Sequence, residues 1–135
     1  MSSHARLKMV GQHDGMAFIV ENDPLSVELM TSIIDKSARY LAEWVRPTNS
    51  TVERMAQRAT VEDVVIIDII LGDQLDGFDV VRTLVDSRFQ GGVILVSGYD
   101  PAYLVALREI AQEKGLRVLG ALKKPFRNEE LMSLV

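Results

Sequence analysis

Short, wholly apolar runs recur between longer stretches of helical period, and this alternation constrains the fold more than any other feature of the chain. The runs are Phe18-Ile19-Val20, Val64-Val65-Ile66-Ile67, Val93-Ile94-Leu95-Val96 and Val118-Leu119-Gly120-Ala121-Leu122. None alternates apolar with polar, so both faces of each strand must be covered, as in a parallel sheet flanked by helices. A further, weaker strand is expected over Leu41 to Val45, ended by Arg46-Pro47.

The helical stretches carry their own start signals. Asp23-Pro24 places an N-cap before a proline at the first helical position, with Val27, Met30, Ile33 and Ile34 inward. Ser50-Thr51-Val52-Glu53 reads as a capping box for a second helix with Val52, Met55, Ala56 and Ala59 buried. A third helix follows Gly77, with Phe78, Val81 and Leu84 inward. The fourth opens at Asp100-Pro101, carries Leu104, Leu107 and Ala111, and stops at Gly115. A last helix opens near Asn128 and has barely two turns before Val135, so either a domain that stands alone or, the favoured expectation, one cut from a longer chain is implied. Residues 1–15 lack sustained periodicity and are expected to be a mobile lead-in to one domain over residues 16–135.

Composition closes off several chemistries. With 135 residues, 47% of them hydrophobic, the chain can bury one core. No run approaches the roughly 20 apolar residues of a membrane helix, and no signal peptide opens the chain, so a cytoplasmic protein without membrane contact is the expectation. There is no cysteine, and His4 and His13 both lie in the lead-in, which excludes thiolate metal sites and a Ser-His-Asp arrangement within the fold. A net charge of −4 with dispersed basic residues argues against direct nucleic-acid binding.

Each apolar run breaks off at a distinctive side chain: Glu21-Asn22-Asp23, Asp68, Ser97 and Lys123-Lys124-Pro125. Parallel strands place all their carboxyl ends along one edge, where open α/β sheets carry ligand sites, so these groups are expected to converge. Asp68 can serve as metal ligand, covalent nucleophile or loop cap. Glu21 and Asn22 offer oxygen ligands suited to Mg²⁺, whereas Asp23 is claimed by the helix cap. Ser97 can donate to a phosphoryl oxygen or complete a turn with Gly98. Lys124 can neutralise an anion or be one of a solvated pair, and the Lys124-Pro125 bond is a candidate for cis geometry. Together these are the parts that move a phosphoryl group.

In these motifs the sequence resembles the receiver domain of bacterial two-component response regulators, over nearly all of the chain from Met16. Val20-Glu21-Asn22-Asp23-Pro24 is similar to the acidic-pair motif, Ile67-Asp68-Ile69 with Asp76-Gly77-Phe78 to the phosphoacceptor strand and following helix start, Val96-Ser97-Gly98 to the small-hydroxyl motif, and Lys124-Pro125-Phe126 to the Lys-Pro-Phe motif. The resemblance implies an α/β fold with a five-stranded parallel sheet of flavodoxin-like order 2-1-3-4-5 and helices on both faces. It implies that Asp68 accepts a phosphoryl group from a histidine kinase or phosphotransfer protein. Ser97 and Lys124 would bind the phosphoryl oxygens and switch the last helices and strand. Mg²⁺ would be held by Asn22, Asp68 and the Ile70 main-chain carbonyl, with Glu21 acting through water. An output domain in the full-length chain and a homodimer are compatible with it, and self-phosphorylation from small donors and self-dephosphorylation are the most catalysis it implies.

The chain departs from the pattern at Asn22, a neutral residue where a carboxylate ligand is usual, which predicts weaker Mg²⁺ binding. Leu71-Gly72 replaces Leu-Pro, and Ala121 stands where many members carry an aromatic switch residue. Ile70 and Tyr99 flank the expected path of attacking water, which predicts a slowly decaying phosphoryl state. The stretch from Ser97 to Lys124 is long, as in receivers attached to cyclic-di-nucleotide phosphodiesterase domains. The competing readings are a receiver-like interaction module working without phosphorylation, and an aspartyl-phosphate phosphatase, for which Asp68-Ile69-Ile70 lacks the second acid.

Overall fold

The structure, a computed structural model, describes residues 13–72 and 75–135. Ten elements alternate along it: β1 (Gly15–Val20), α1 (Pro24–Ser37), β2 (Tyr40–Val45), α2 (Asn49–Arg58), β3 (Val64–Asp68), α3 (Gly77–Asp86), β4 (Gly92–Ser97), α4 (Pro101–Glu113), β5 (Arg117–Lys123) and α5 (Asn128–Met132). The strands form one parallel sheet in the order β2-β1-β3-β4-β5, as expected. Most of the expected lead-in, residues 1–12, lies outside the described residues, and the first strand opens at Gly15.

Every residue of β3 and β4 is buried, which accounts for their unbroken β-branched character. Successive side chains enter two apolar layers. Phe18, Val65, Ile67, Val93 and Leu95 pack with Val52, Met55, Val81, Leu84 and Leu107 on the α2–α3–α4 side. Ala17, Ile19, Ile66, Ile94 and Val96 pack with Val27, Met30, Ile34 and Leu131 on the α1–α5 side. At roughly 1.5–3 kcal/mol per large apolar side chain, this two-sided burial is the main force holding the sheet together.

The caps follow local chemistry, with one correction. Asp23 Oδ1 accepts from Leu25 N–H at 3.3 Å and Asp100 Oδ1 from Ala102 N–H at 2.9 Å, each ahead of a proline at the first helical position. The α2 cap is Thr48, not Ser50: Thr48 Oγ1 accepts from Thr51 N–H at 3.2 Å while Thr51 Oγ1 accepts from Thr48 N–H at 3.3 Å. Two threonines thereby make the reciprocal bonds expected of Ser50 and Glu53, and Ser50 falls inside the first turn. Ala59 lies just past the end of α2, half-buried against the core. Asp76 caps α3 through Asp79 N–H at 3.0 Å, so Gly77 is inside that helix, not before it. A Cβ on Gly77 would stand 2.8 Å from Ile69 Cα, so only glycine lets α3 begin this close to the end of β3.

The β4–β5 pairing contains one irregularity. Val93 faces Val118 but Ile94 faces Gly120, leaving Leu119 as an extra residue. Leu119 packs in the α1–α5 layer, and a Cβ on Gly120 would meet Leu134 of that same layer at 2.5 Å. Two consecutive residues therefore face one side. Beyond them alternation resumes, with Ala121 in the α2–α3–α4 layer and Leu122 in the α1–α5 layer.

Candidate functional site at the carboxyl edge

The strand ends converge as the alternation of elements implies. Glu21 follows β1, Asp68 ends β3, Ser97 ends β4, and Lys124 directly follows β5 and is joined to Pro125 by a cis bond. Glu21, Asp68 and Ser97 are all buried, at 1%, 8% and 1% exposure.

Lys124 ties the group together. Its Nζ donates to Glu21 Oε1 at 2.7 Å, to Asp68 Oδ2 at 3.2 Å and to Ser26 Oγ at 3.3 Å, so each N–H of the ammonium has an acceptor. Burial works to depress this lysine, but the Glu21 and Asp68 carboxylates outweigh it and hold its pKa above the ordinary value. Burial has the opposite effect on Asp68. Together with the neighbouring Glu21 carboxylate it raises the Asp68 pKa to about 6, against the pull of Lys124.

Glu21 is anchored on its other oxygen. Oε2 accepts from Asn22 N–H at 2.9 Å and Asp23 N–H at 3.2 Å, so the side chain closes the turn that follows its own strand. The Glu21 main-chain carbonyl accepts from Trp44 Nε1–H of β2 at 2.8 Å. Ser97 is held by its own loop: Oγ accepts from Tyr99 N–H at 3.1 Å, leaving the hydroxyl proton to donate elsewhere, and its carbonyl accepts from Lys124 N–H at 2.7 Å.

Glu21, Asp68 and Lys124 thus meet directly, and Ser97 joins them through the β4–β5 ladder. Asn22 is exposed, with its amide reaching toward the loop after β3, since a Cβ on Gly72 would stand 3.7 Å from Asn22 Nδ2. Ile70 N–H lies 3.4 Å from Asp68 Oδ1, and its side chain is half-exposed. Ile70 and Tyr99 line one recess with Ile69, Asp76, Phe78 and Tyr103, a space of about 410 Å³ just past the Asp68 end of β3. Asp23 is occupied as helix cap and accepts from Ser26 Oγ at 3.0 Å.

Two participants escaped the sequence reading. Ser26 carries the signal of a hydroxyl in the first turn after an Asp-Pro start, but its contact with Lys124 spans 98 positions. Trp44 carries no local signal, because β2 is read only as a weak strand; its place beside Glu21 comes from the β1–β2 register that sets Ile19 opposite Trp44.

The donor set suits a hard divalent cation that retains water. The expected ligands are the Asp68 carboxylate and two neutral oxygens, from Asn22 and the Ile70 carbonyl. Among the described residues no three His, Cys, Asp or Glu side chains gather into a metal cage. Mg²⁺, which needs only one or two carboxylates, is compatible with that economy; an ion requiring a full protein cage is not. Among the described residues, no helix is long and apolar enough to cross a membrane.

Comparison with known proteins gives a consistent answer. The profile described as "Response regulator receiver domain" matches residues 17–135. A search of curated protein sequences finds no match. Among solved structures, a response regulator from Colwellia psychrerythraea is 25% identical, covers 89% of this chain and 92% of its own, and superposes with a TM-score of 0.72. A response regulator protein from Burkholderia pseudomallei, solved with a phosphorylated aspartic acid, calcium ion and citrate, is 16% identical over 90% of this chain and 66% of its own, with a TM-score of 0.70. The N-terminal domain of a response regulator/sensory box/GGDEF three-domain protein from Carboxydothermus hydrogenoformans is 18% identical over 88% of this chain and 89% of its own, with a TM-score of 0.69.

Proposed function

The chain belongs to the response regulator receiver domain family, the signalling domains of two-component systems, and from that premise we propose that it works as a phosphate-operated switch with Asp68 as the phosphoacceptor. The observation that carries this reading is the Lys124 ammonium held between the buried carboxylates of Glu21 and Asp68.

At neutral pH an Asp68 carboxylate with a pKa near 6 is mostly ionised yet poorly solvated, the condition that favours attack. An Asp68 oxygen forms a bond to phosphorus as the P–N bond to a partner phosphohistidine breaks, and its electron pair returns to the imidazole. Lys124 stands where the transferred oxygens bring negative charge, and the Ser97 hydroxyl keeps its proton for one of them. Asp68, the Asn22 side chain and the Ile70 carbonyl would hold Mg²⁺, which when bound neutralises phosphoryl charge. Glu21 has three of about four acceptor positions engaged, leaving one for a metal-bound water.

The partner is a histidine kinase or phosphotransfer protein. The transmitted change is a shift of α4, β5 and α5 as Ser97 and Lys124 follow the new charge, available to an output domain or a second copy. Incubation with acetyl phosphate and Mg²⁺ should add one phosphoryl group to the protein and none to Asp68→Asn. Absence of uptake by the wild type at millimolar Mg²⁺ would favour the second reading, an interaction module that works unphosphorylated, for which the neutral Asn22 is the motivating observation.

A further inference from the structure

We infer that Trp44 is a positioning residue for the acidic corner, fixing Glu21 from the edge strand and through it the metal-binding turn and Lys124. This rests on the phosphoacceptor reading for its purpose, but not for its geometry.

The β1–β2 ladder runs in register to Val20 and Val45. Beyond it the β2 chain turns at Arg46-Pro47, and proline has no N–H with which to continue. The Glu21 carbonyl, one residue past the strand, instead takes its hydrogen bond from the indole of Trp44 at 2.8 Å. A side chain thus extends the sheet by one step where its backbone stops. The indole is held in turn: the Arg46 guanidinium lies 4.5 Å from its ring centroid, and the ring packs in the α1–α5 layer.

The consequence passes through one residue. With its carbonyl fixed, Glu21 aims its carboxylate at three donors, the N–H groups of Asn22 and Asp23 and the Lys124 ammonium. Asn22 is the neutral side chain among the ligand candidates and cannot hold a cation by charge. Its orientation must therefore come from the turn, and the turn is set by Glu21. Partners behind metal ligands tune affinity by orienting them.

The test uses the fact that the chain holds a single tryptophan, so replacing tryptophan globally changes this position alone. The benzothiophene analogue keeps the ring and its packing but substitutes sulfur for the N–H; Trp44→Phe is the genetic counterpart. In the unphosphorylated protein, amide hydrogen exchange at Asn22 and Asp23 should accelerate, and the Mg²⁺ dissociation constant by calorimetry should rise roughly three- to tenfold, in line with one lost hydrogen bond. The acetyl phosphate reaction should slow at low Mg²⁺ and recover to within about twofold at saturation, a split that general destabilisation would not produce. Unchanged Mg²⁺ affinity and unchanged exchange in a folded analogue would overturn the positioning role. A wild type that binds Mg²⁺ in this Trp44-dependent way yet never takes up phosphate would instead sink the phosphoacceptor reading and leave the positioning role standing.

Discussion

Lys124 Nζ and Glu21 Oε1, 103 positions apart in sequence, form a 2.7 Å ion pair in which Glu21 is only 1% exposed. Such a pair is weak evidence for stability when intact, because desolvation offsets attraction, but losing one partner strands a buried charge. Lys124→Met should therefore destabilise the protein by roughly 3 kcal/mol, read by urea denaturation at pH 7. The double variant with Glu21→Gln should recover part of that loss, and a fully additive double-mutant cycle would contradict the coupling.

Asp68 gives the metal-free protein a specific pH dependence. Burial and Glu21 push its pKa up to about 6 when folded, from an ordinary 3.8, so between those limits the native state binds more protons than the unfolded state. Stability then falls as pH rises through that window, and the destabilisation is fully present above it. In EDTA, the wild type should lose on the order of 2 kcal/mol between pH 4 and pH 7 from this group. Asp68→Asn should remove that slope and be the more stable protein at pH 7, measured by urea denaturation across the series.

Asn22→Asp would place a charged oxygen at the proposed metal corner. Mg²⁺ affinity should rise about tenfold, corresponding to roughly 1.4 kcal/mol, by isothermal titration. In EDTA the same change should lower the melting temperature, since it adds a third acid beside Glu21 and Asp68.

Ile70 and Tyr99 line the recess just past Asp68, with 49% and 60% of their surfaces exposed, and on the phosphoacceptor reading we expect them to shield it from water. Ile70→Asn and Tyr99→Ala should each hasten loss of the phosphoryl group, about tenfold together if roughly 1.4 kcal/mol of barrier is removed. Unaltered decay of the phosphorylated protein in both variants would refute the shielding.

The two candidate caps of α2 separate cleanly. Thr48→Ala should cost about 1 kcal/mol of unfolding free energy, whereas Ser50→Ala should stay within about 0.5 kcal/mol.

These cases also mark where sequence suffices. The sheet was legible because β3 and β4 are buried on both faces and must read as continuous apolar runs, and Asp68, Ser97 and Lys124 were legible because a polar residue ending such a run needs a reason. The Asp-Pro starts of α1 and α4 depend on adjacent residues and were read correctly. The α2 cap was misplaced because Ser-x-x-Glu and Thr-x-x-Thr can make equivalent bonds, and the choice depends on where β2 releases the chain. Glu21 was read as a helper of the metal, but its partners Lys124 and Trp44 are set by strand order and register, which no local pattern encodes.

The extra residue at Leu119 has a consequence of parity. Side chains along a strand take sides by odd and even count, and one inserted position reverses the assignment of everything after it. Even-numbered Val118 and odd-numbered Ala121 accordingly share one layer. Deleting Leu119 would set Gly120 directly after Val118 and leave it opposite Ile94, with Lys123 still opposite Ser97, so the residues leading into the site would keep their sides. The inserted residue adds bulk to the α1–α5 layer and is silent at the carboxyl edge.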